Sequence, residues 1–368
     1  MTLTKIPLLD IPRQTTTIRA ELDAAMARVL DHGQFVLGPE VRAMEERMAE
    51  YCGTRFAVGC ASGSDALLLA LMAMGVGRGD GVVTTPFTFF ATAGSIHELG
   101  AVPVFVDIDP VTFNMDPARL DDALKAGAKA VMPVHLYGQC ADMDAIKAIA
   151  DRHGVPVIED AAQAIGAEYR GKRAGSLSLC GCFSFFPTKN LGAFGDAGIM
   201  TTDDAKLADR LRMLRVHGSR TRYYHEAAGI NSRLDTLQAA ILLVKMRYLE
   251  EWTERRRANA AAYRELLAGS NVETPVEAAG MRHVYNQFTV RVKNRDEVQR
   301  KLGATGIGSE IYYPVPLHLQ ECFAFLGYKA GDFPYSEAAA REVLSLPIEP
   351  GLERSDIKAV CQRLRELV

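Results

Sequence analysis

Val155-Pro156-Val157-Ile158-Glu159-Asp160 is the stretch from which the fold can be read. Its apolar run is too short for a helix, follows a helical pattern at Ala141 to His153, and ends on two carboxylates. The same unit recurs along the chain. Strand-like runs stand at Gly81 to Thr85, Val102 to Val106, Ala130 to Val134 and Cys182 to Phe186. Helical patterns at Pro39 to Tyr51, Ser64 to Met74 and Pro117 to Ala126 precede or separate them. Such alternation makes an α/β fold, a mainly parallel sheet with helices on both faces. Ligands collect beyond the carboxyl ends of the strands in these sheets, so the residues just after each run carry most weight.

The pattern changes after Asn231. Leu234 to about Ala268 reads as one long helical stretch, apolar first and charged later. Arg255-Arg256-Arg257 lies beside Glu250, Glu251 and Glu254, which reads as a solvated helix face rather than a nucleic-acid patch. Val284 to Val292 alternates like a half-buried strand and is followed by a helix, the loop Tyr312-Tyr313-Pro314-Val315-Pro316 and a final helix. Residues 1–245 are therefore expected to form a large sheet domain, and 246–368 a smaller α+β domain. The 368 residues suit two domains.

Composition narrows the function classes. With 42 Lys+Arg against 45 Asp+Glu, the net charge of −3 gives no global footprint for nucleic acid or an anionic membrane. The longest apolar run, Ala66 to Val76, is too short to span a bilayer. Ile6-Pro7-Leu8-Leu9 is cut off by Asp10, so no signal-peptide core is expected. Seven scattered cysteines fit reduced thiols in the cytoplasm. Cys180-x-Cys182 has no second pair or nearby His to complete a metal site; it reads as buried strand, and no metal is expected.

Gly75-x-Gly77-x-Gly79-x-Gly81 invites a dinucleotide reading, but a helix leads in and a strand leads out, the reverse of that fingerprint. It reads as a helix-to-strand turn. Ser62-Gly63-Ser64-Asp65 opens an apolar helix, where backbone amides can hold a phosphate or a serine can simply cap. Asp160 at a buried strand end needs a cation or several donors, or else caps the next element. Ser184-Phe185-Phe186-Pro187-Thr188-Lys189 ends another strand, and Lys189 there is a phosphate ligand, an amine nucleophile or a surface residue. The combination decides among these. A phosphate-ready helix start, an aromatic after the next strand (Phe87), a strand-end Asp and a loop Lys, in that order, match the needs of pyridoxal 5'-phosphate.

With these residues placed, the chain resembles the DegT/DnrJ/EryC1/StrS family of nucleotide-sugar aminotransferases nearly end to end. The likeness runs through Gly33 to Glu40, Ser62 to Leu67, Thr85 to Thr92, Leu136 to Gln139, Glu159 to Gln163, Ser184 to Lys189, Asn231 to Asp235 and Tyr312 to His318. It implies the aspartate-aminotransferase-like fold (fold type I), with the cofactor in the large domain. Lys189 would be the Schiff-base lysine, Asp160 the partner of the pyridine nitrogen, and Gln163 a contact on the phenolic-oxygen side. Phe87 would stack on the ring, and Gly63, Ser64 and Ser184 would hold the phosphate. Asn231 would reach the neighbouring subunit's cofactor phosphate, which makes a homodimer with shared active sites the expected unit.

Arg233, Tyr312, Tyr313 and His318 would line the sugar-nucleotide side, although Tyr313 and His318 equally suit packing of the Pro-rich loop. Some relatives carry His where this chain has Tyr312. A sugar-deoxygenating branch of the family has His in place of the lysine, and Lys189 argues against it. The implied reaction moves an amino group from L-glutamate to a keto group of a UDP- or dTDP-linked hexose. The motifs look most like those of enzymes acting at C3 of a UDP-linked 3-keto hexuronate. A 4-keto sugar, a cyclitol ketone or a non-catalytic regulatory role are the alternatives.

Overall fold

The computed structural model describes residues 5–368. Seven strands form the central sheet: β1 (Phe56–Cys60), β2 (Gly81–Thr84), β3 (Val102–Phe105), β4 (Ala130–Val131), β5 (Ile158–Asp160), β6 (Cys180–Ser184) and β7 (Gly198–Thr202). Their order is β3-β2-β4-β5-β6-β7-β1, with β4 joined to β5 through the parallel bridges Val131↔Val157 and Val134↔Asp160. Only β7 runs against its neighbours. The expected parallel sheet is present, with strand ends that differ from the hydrophobic runs. Pairing of β5 with β6 runs from Ile158 to Asp160, and just ahead of it the Pro156 carbonyl accepts from Val131 N of β4 (2.9 Å) and the Val157 carbonyl from Leu179 N (3.2 Å). β1 and β7 went unread in the sequence; β1 carries Gly59 inside it, and β7 starts on Gly198 and ends on the polar pair Thr201-Thr202.

Alternate residues of each strand enter opposite cores, the two-sided burial a sheet covered on both faces requires. Ala57, Val83, Val131, Phe183 and Ile199 join one core, and Val58, Val82, Ala130, Cys182 and Met200 the other. Cys180 and Cys182 are buried apolar strand residues, as expected. The Gly75–Gly81 segment is the expected helix-to-strand turn. Gly75 and Gly79 take φ +73° and +84°, which a side chain would strain.

Six helices pack the cores: α1 (Gly63–Ala73), α2 (Phe90–Glu98), α3 (Met143–Arg152), α4 (Thr236–Met246), α5 (Leu249–Leu267) and α6 (Arg354–Leu367). The long helix read from the sequence is thus two, α4 and α5, broken at Arg247-Tyr248. Neither Gly nor Pro marks that break. Ala239, Leu242 and Met246 of α4 pack into the sheet core, whereas Ala260, Tyr263 and Leu267 of α5 belong to a separate C-terminal core. That second core is built on β8 (Phe288–Arg291) paired antiparallel with β9 (Val343–Leu346) and on α6. Ile6 bridges to Ile307 and joins this core too, so the first described residues lie on the smaller unit.

Two expectations are corrected here. The strand expected from Val284 shrinks to Phe288–Arg291, because the amides of Val284 and Asn286 turn away to the carbonyls of Gly138 and Tyr137 (2.9 Å each). Of the arginine triplet, only Arg255 lies on a solvated face. Arg256 is buried and donates to the Tyr285 carbonyl (3.2 Å), and Arg257 donates to the His283 carbonyl (2.9 Å). Among the described residues no helix is long and apolar enough to cross a membrane.

Candidate active site

Strand alternation sends the two carboxylates of β5 to opposite faces. Glu159 is fully buried and saturated: it accepts from the amides of Gly175 (2.6 Å) and Leu177 (2.9 Å), from Ser178 Oγ (3.1 Å) and from His135 Nε2 (3.0 Å). Ala141 N donates to His135 Nδ1 (3.1 Å), which leaves the Nε2 proton for Glu159. Glu159 is therefore structural. Glu159→Ala should cost about 3–5 kcal/mol by stranding these donors, measurable by denaturant unfolding.

Asp160 is also buried but has two donors, Thr92 Oγ1 (2.8 Å, to Oδ2) and Ala162 N (3.2 Å, to Oδ1). Burial pushes its carboxyl above the usual carboxylate range, against the pull of those hydrogen bonds and of the charge on Lys189. A buried carboxylate so placed favours a further cationic N–H partner. Thr92 was missed by the sequence reading; it lies in the first turn of α2, which starts just after β2 and brings the hydroxyl under Asp160.

Lys189 follows β6, whose parallel neighbour β5 ends at Asp160. The turn is fixed locally, with Lys189 N donating to the Phe186 carbonyl (2.9 Å). The residue is half-buried, and desolvation lowers its ammonium pKa to about 8, with Asp160 pulling it back upward. Near neutrality a usable fraction of free amine is present.

Beside it, the start of α1 meets the end of β6. A Cβ on Gly63 would stand 2.5 Å from Ser184 Cβ, so only glycine permits this approach. Ser62 caps the helix by accepting from Asp65 N (3.0 Å). The first amides, those of Gly63 and Ser64, have no intrahelical acceptor and sit at the positive end of the helix. Gly63, Ser64 and Ser184 are thus brought together as a cradle suited to an anion.

Gln163 is buried one turn beyond Asp160. Its Oε1 accepts from Tyr137 N (2.7 Å), and its Nε2 donates to the Tyr313 hydroxyl (3.0 Å). Burial raises the Tyr313 pKa well above its ordinary value, keeping the hydroxyl protonated. Tyr313 therefore both packs the Pro-rich loop and borders the site.

The structure does not leave Phe87 free to stack on a ring. It is 0% exposed, enclosed by Phe113 (ring centroids 6.1 Å apart) and Tyr313 (6.4 Å), with no open face. Two residues on, Phe89 is 56% exposed, lies 6.0 Å from the Tyr313 ring, and caps the helix that carries Thr92.

The outer residues divide. Asn231 is exposed, while its neighbour Ser232 is buried and accepts from Ala61 N (3.1 Å) beside the phosphate-side helix. Arg233 is half-buried, and the Tyr312 carbonyl accepts from the Tyr137 hydroxyl. His318 does not line the cleft. It is 2% exposed, packed on Phe333 (4.7 Å) with Nε2 3.2 Å from Glu337, and braces the Pro-rich loop. Among the described residues no group of three or more His, Cys, Asp or Glu converges as a metal site.

Comparison with known proteins settles the class. A profile of the DegT/DnrJ/EryC1/StrS aminotransferase family matches residues 16–365, and the chain belongs to that family. The solved structure of Streptomyces venezuelae DesV in complex with a ketimine intermediate superposes with a TM-score of 0.97 at 47% identity, over 99% of this chain and 98% of that one. The architecture is that of fold type I. A Pseudomonas aeruginosa protein named UDP-2-acetamido-2-deoxy-3-oxo-D-glucuronate aminotransferase is 47% identical over 98% of this chain and 99% of its own. A Geobacillus stearothermophilus protein named pleiotropic regulatory protein is 52% identical, over 98% of each chain.

Proposed function

We propose that this chain is a pyridoxal 5'-phosphate-dependent aminotransferase that moves an amino group from L-glutamate to the 3-keto position of a UDP- or dTDP-linked hexose. The observation that carries this reading is the placement of Asp160 at the end of β5, of Lys189 in the turn after the neighbouring strand β6 and within reach of its charge, and of the α1 amide cradle against Ser184 at the end of that same strand. The residues present fit the cofactor. The amides of Gly63 and Ser64 with Ser184 suit its phosphate, Asp160 its ring nitrogen, Gln163 its phenolic oxygen, and Phe89 rather than Phe87 its ring face. Bound there, pyridoxal phosphate supplies an electron sink for the donor's Cα electrons. Lys189 Nζ takes the proton from the donor Cα and delivers it on the other side of the transfer, as general base and then acid. Tyr137 N and Tyr313 fix the Gln163 amide, and the Thr92 hydroxyl holds Asp160 aimed into the cleft.

The depressed pKa of Lys189 has a direct consequence. Below pH 8 its amine is mostly protonated and unreactive, and above it mostly free. Capture of pyridoxal phosphate by the apoprotein should accelerate as pH rises from 6.5 through 8 and then level off. Stopped-flow absorbance checks this, and a rate flat across that window contradicts it.

The active unit is a homodimer, with the residues up to 245 as the large domain, save the first described ones that Ile6 ties to the smaller unit, and 246–368 as the small domain. Phe35, Val36, Leu37, Phe186 and Phe194 are exposed apolar residues, Phe186 and Phe194 flanking the Lys189 turn, and a second copy would cover them. Asn231, exposed in one chain, would then serve the partner's phosphate cradle. Mixing inactive Lys189→Ala and Asn231→Ala proteins should restore part of the activity in mixed dimers; no restoration contradicts sharing. The described cysteines are unpaired, which suits the cytoplasm.

The substrate is tested with UDP- and dTDP-linked 3-keto and 4-keto sugars and a cyclitol ketone, with glutamate as donor. Turnover confined to 3-keto sugars supports the reading; turnover of only 4-keto or cyclitol acceptors overturns its acceptor part. Likeness to a regulatory protein raises a non-catalytic alternative. The complete set of Lys189, Asp160 and Gln163 favours catalysis.

A further inference from the structure

The Lys189 turn is gripped from outside by α4. Gly192 closes the turn, and a Cβ on it would lie 2.3 Å from the Pro187 carbonyl oxygen, so residues 187–192 double back on themselves. Lys245, on α4 and 2% exposed, donates from Nζ to the Gly192 carbonyl (2.5 Å) and stands 4.6 Å from the centre of the Phe194 ring. Seven residues earlier on the same helix face, Gln238 Oε1 accepts from Phe194 N (2.8 Å). Two side chains of one helix thus hold the segment 192–195 at adjacent points. From the other side, Asn190 Nδ2 donates to the Val284 carbonyl (3.0 Å), and Asn286 Nδ2 donates to Asn190 Oδ1 (3.0 Å).

A lysine in that position is not filling space. No carboxylate among the described residues pairs with it, and burial lowers its pKa to about 8, so its charge is carried at a cost. An apolar side chain of similar length would pack the same volume without that cost. What the ammonium adds is a charge-assisted bond to one carbonyl and a cation–π contact, both on the segment leaving Lys189.

We propose that Lys245, together with Gln238, is a positioning residue that clamps the 187–195 turn onto α4 and so sets where Lys189 Nζ stands relative to Asp160. The inference rests on Lys189 being the reactive lysine, but the clamp is measurable without that chemistry.

The test compares full-length Lys245→Met, Lys245→Arg and Gln238→Ala proteins with the parent, by amide hydrogen exchange in the apoprotein and kinetics in the holoprotein. In Lys245→Met, amides of 187–195 should exchange at least about tenfold faster, with the sheet amides unchanged. Lys245→Arg, which can still donate to Gly192, should restore protection. In the holoprotein kcat should fall about tenfold with the glutamate KM within about twofold, the pattern of a mispositioned group rather than lost binding. Unchanged exchange of 187–195, or faster exchange spread evenly over the whole sheet, overturns the clamp. Should Lys245→Met not fold, Gln238→Ala decides: turn-restricted acceleration supports the clamp and none overturns it. If the parent holoprotein forms no bond to the cofactor at Lys189, the functional reading fails, and the apoprotein exchange still decides the clamp.

Discussion

Lys189→Ala is expected to remove covalent cofactor attachment and to lower kcat by about 10⁴-fold, the upper range for a positioned acid–base group. On the proposed reading the loss is large because one amine would have two tasks, holding the cofactor and moving the donor's Cα proton. No other lysine can substitute locally. Lys245, buried on α4 against the same turn, spends its ammonium on the Gly192 carbonyl. The folded protein should survive the change, since the turn is held by bonds that do not involve the ammonium, from Lys189 N to the Phe186 carbonyl and from Asn190 Nδ2 to the Val284 carbonyl. Borohydride reduction of the holoprotein followed by peptide mass analysis checks the assignment. A pyridoxyl adduct on the Lys189 peptide is expected, and an adduct on any other lysine would sink it.

Asp160→Asn should lower kcat by about 10²–10³-fold, the range for removing one preorganised electrostatic partner. The side chain keeps its shape and can still meet the Thr92 hydroxyl, so the effect isolates the charge. Stability should move the other way. Burial raises the Asp160 pKa, so its ionised form is disfavoured in the folded state at pH 7, and the neutral amide relieves that. The apoprotein of Asp160→Asn should therefore melt at an equal or higher temperature at pH 7. The difference should close towards acid pH, where the parent carboxyl is protonated as well. Calorimetry at the two pH values checks the sign. Set beside Glu159→Ala, which should destabilise strongly, it separates a chemical carboxylate from its structural neighbour.

That separation shows what linear sequence can and cannot reveal. Glu159 and Asp160 are adjacent, chemically alike and at the same strand end; only the alternation of β5, once its register is known, sends one to the Gly175–Ser178 loop and the other to the cleft. Lys189 and Asp160 could be singled out because each stands at a recognisable place, a strand end or the turn after it, whereas Gln163 was reached only through the family resemblance. The aromatic was not legible. Phe87 and Phe89 are two apart in one motif, and the choice between them comes from Phe113 and Tyr313, distant in sequence, closing over the first.

Thr92 left no local signal beyond its place in the first turn after Phe89. His318 fell in the right loop, yet Phe333 and Glu337 draw it away from the cleft. The division into α4 and α5 was invisible for a related reason, since no breaker residue marks it and the two helices separate because they serve different cores.

The most direct test of the whole account is a half-reaction without acceptor. Holoprotein mixed with L-glutamate alone should lose its visible absorbance and release 2-oxoglutarate in a one-to-one ratio to protein sites, and adding a nucleotide-linked 3-keto sugar should restore the absorbance with stoichiometric amino sugar. Absorbance that glutamate leaves unchanged would contradict an aminotransferase reading of this cleft.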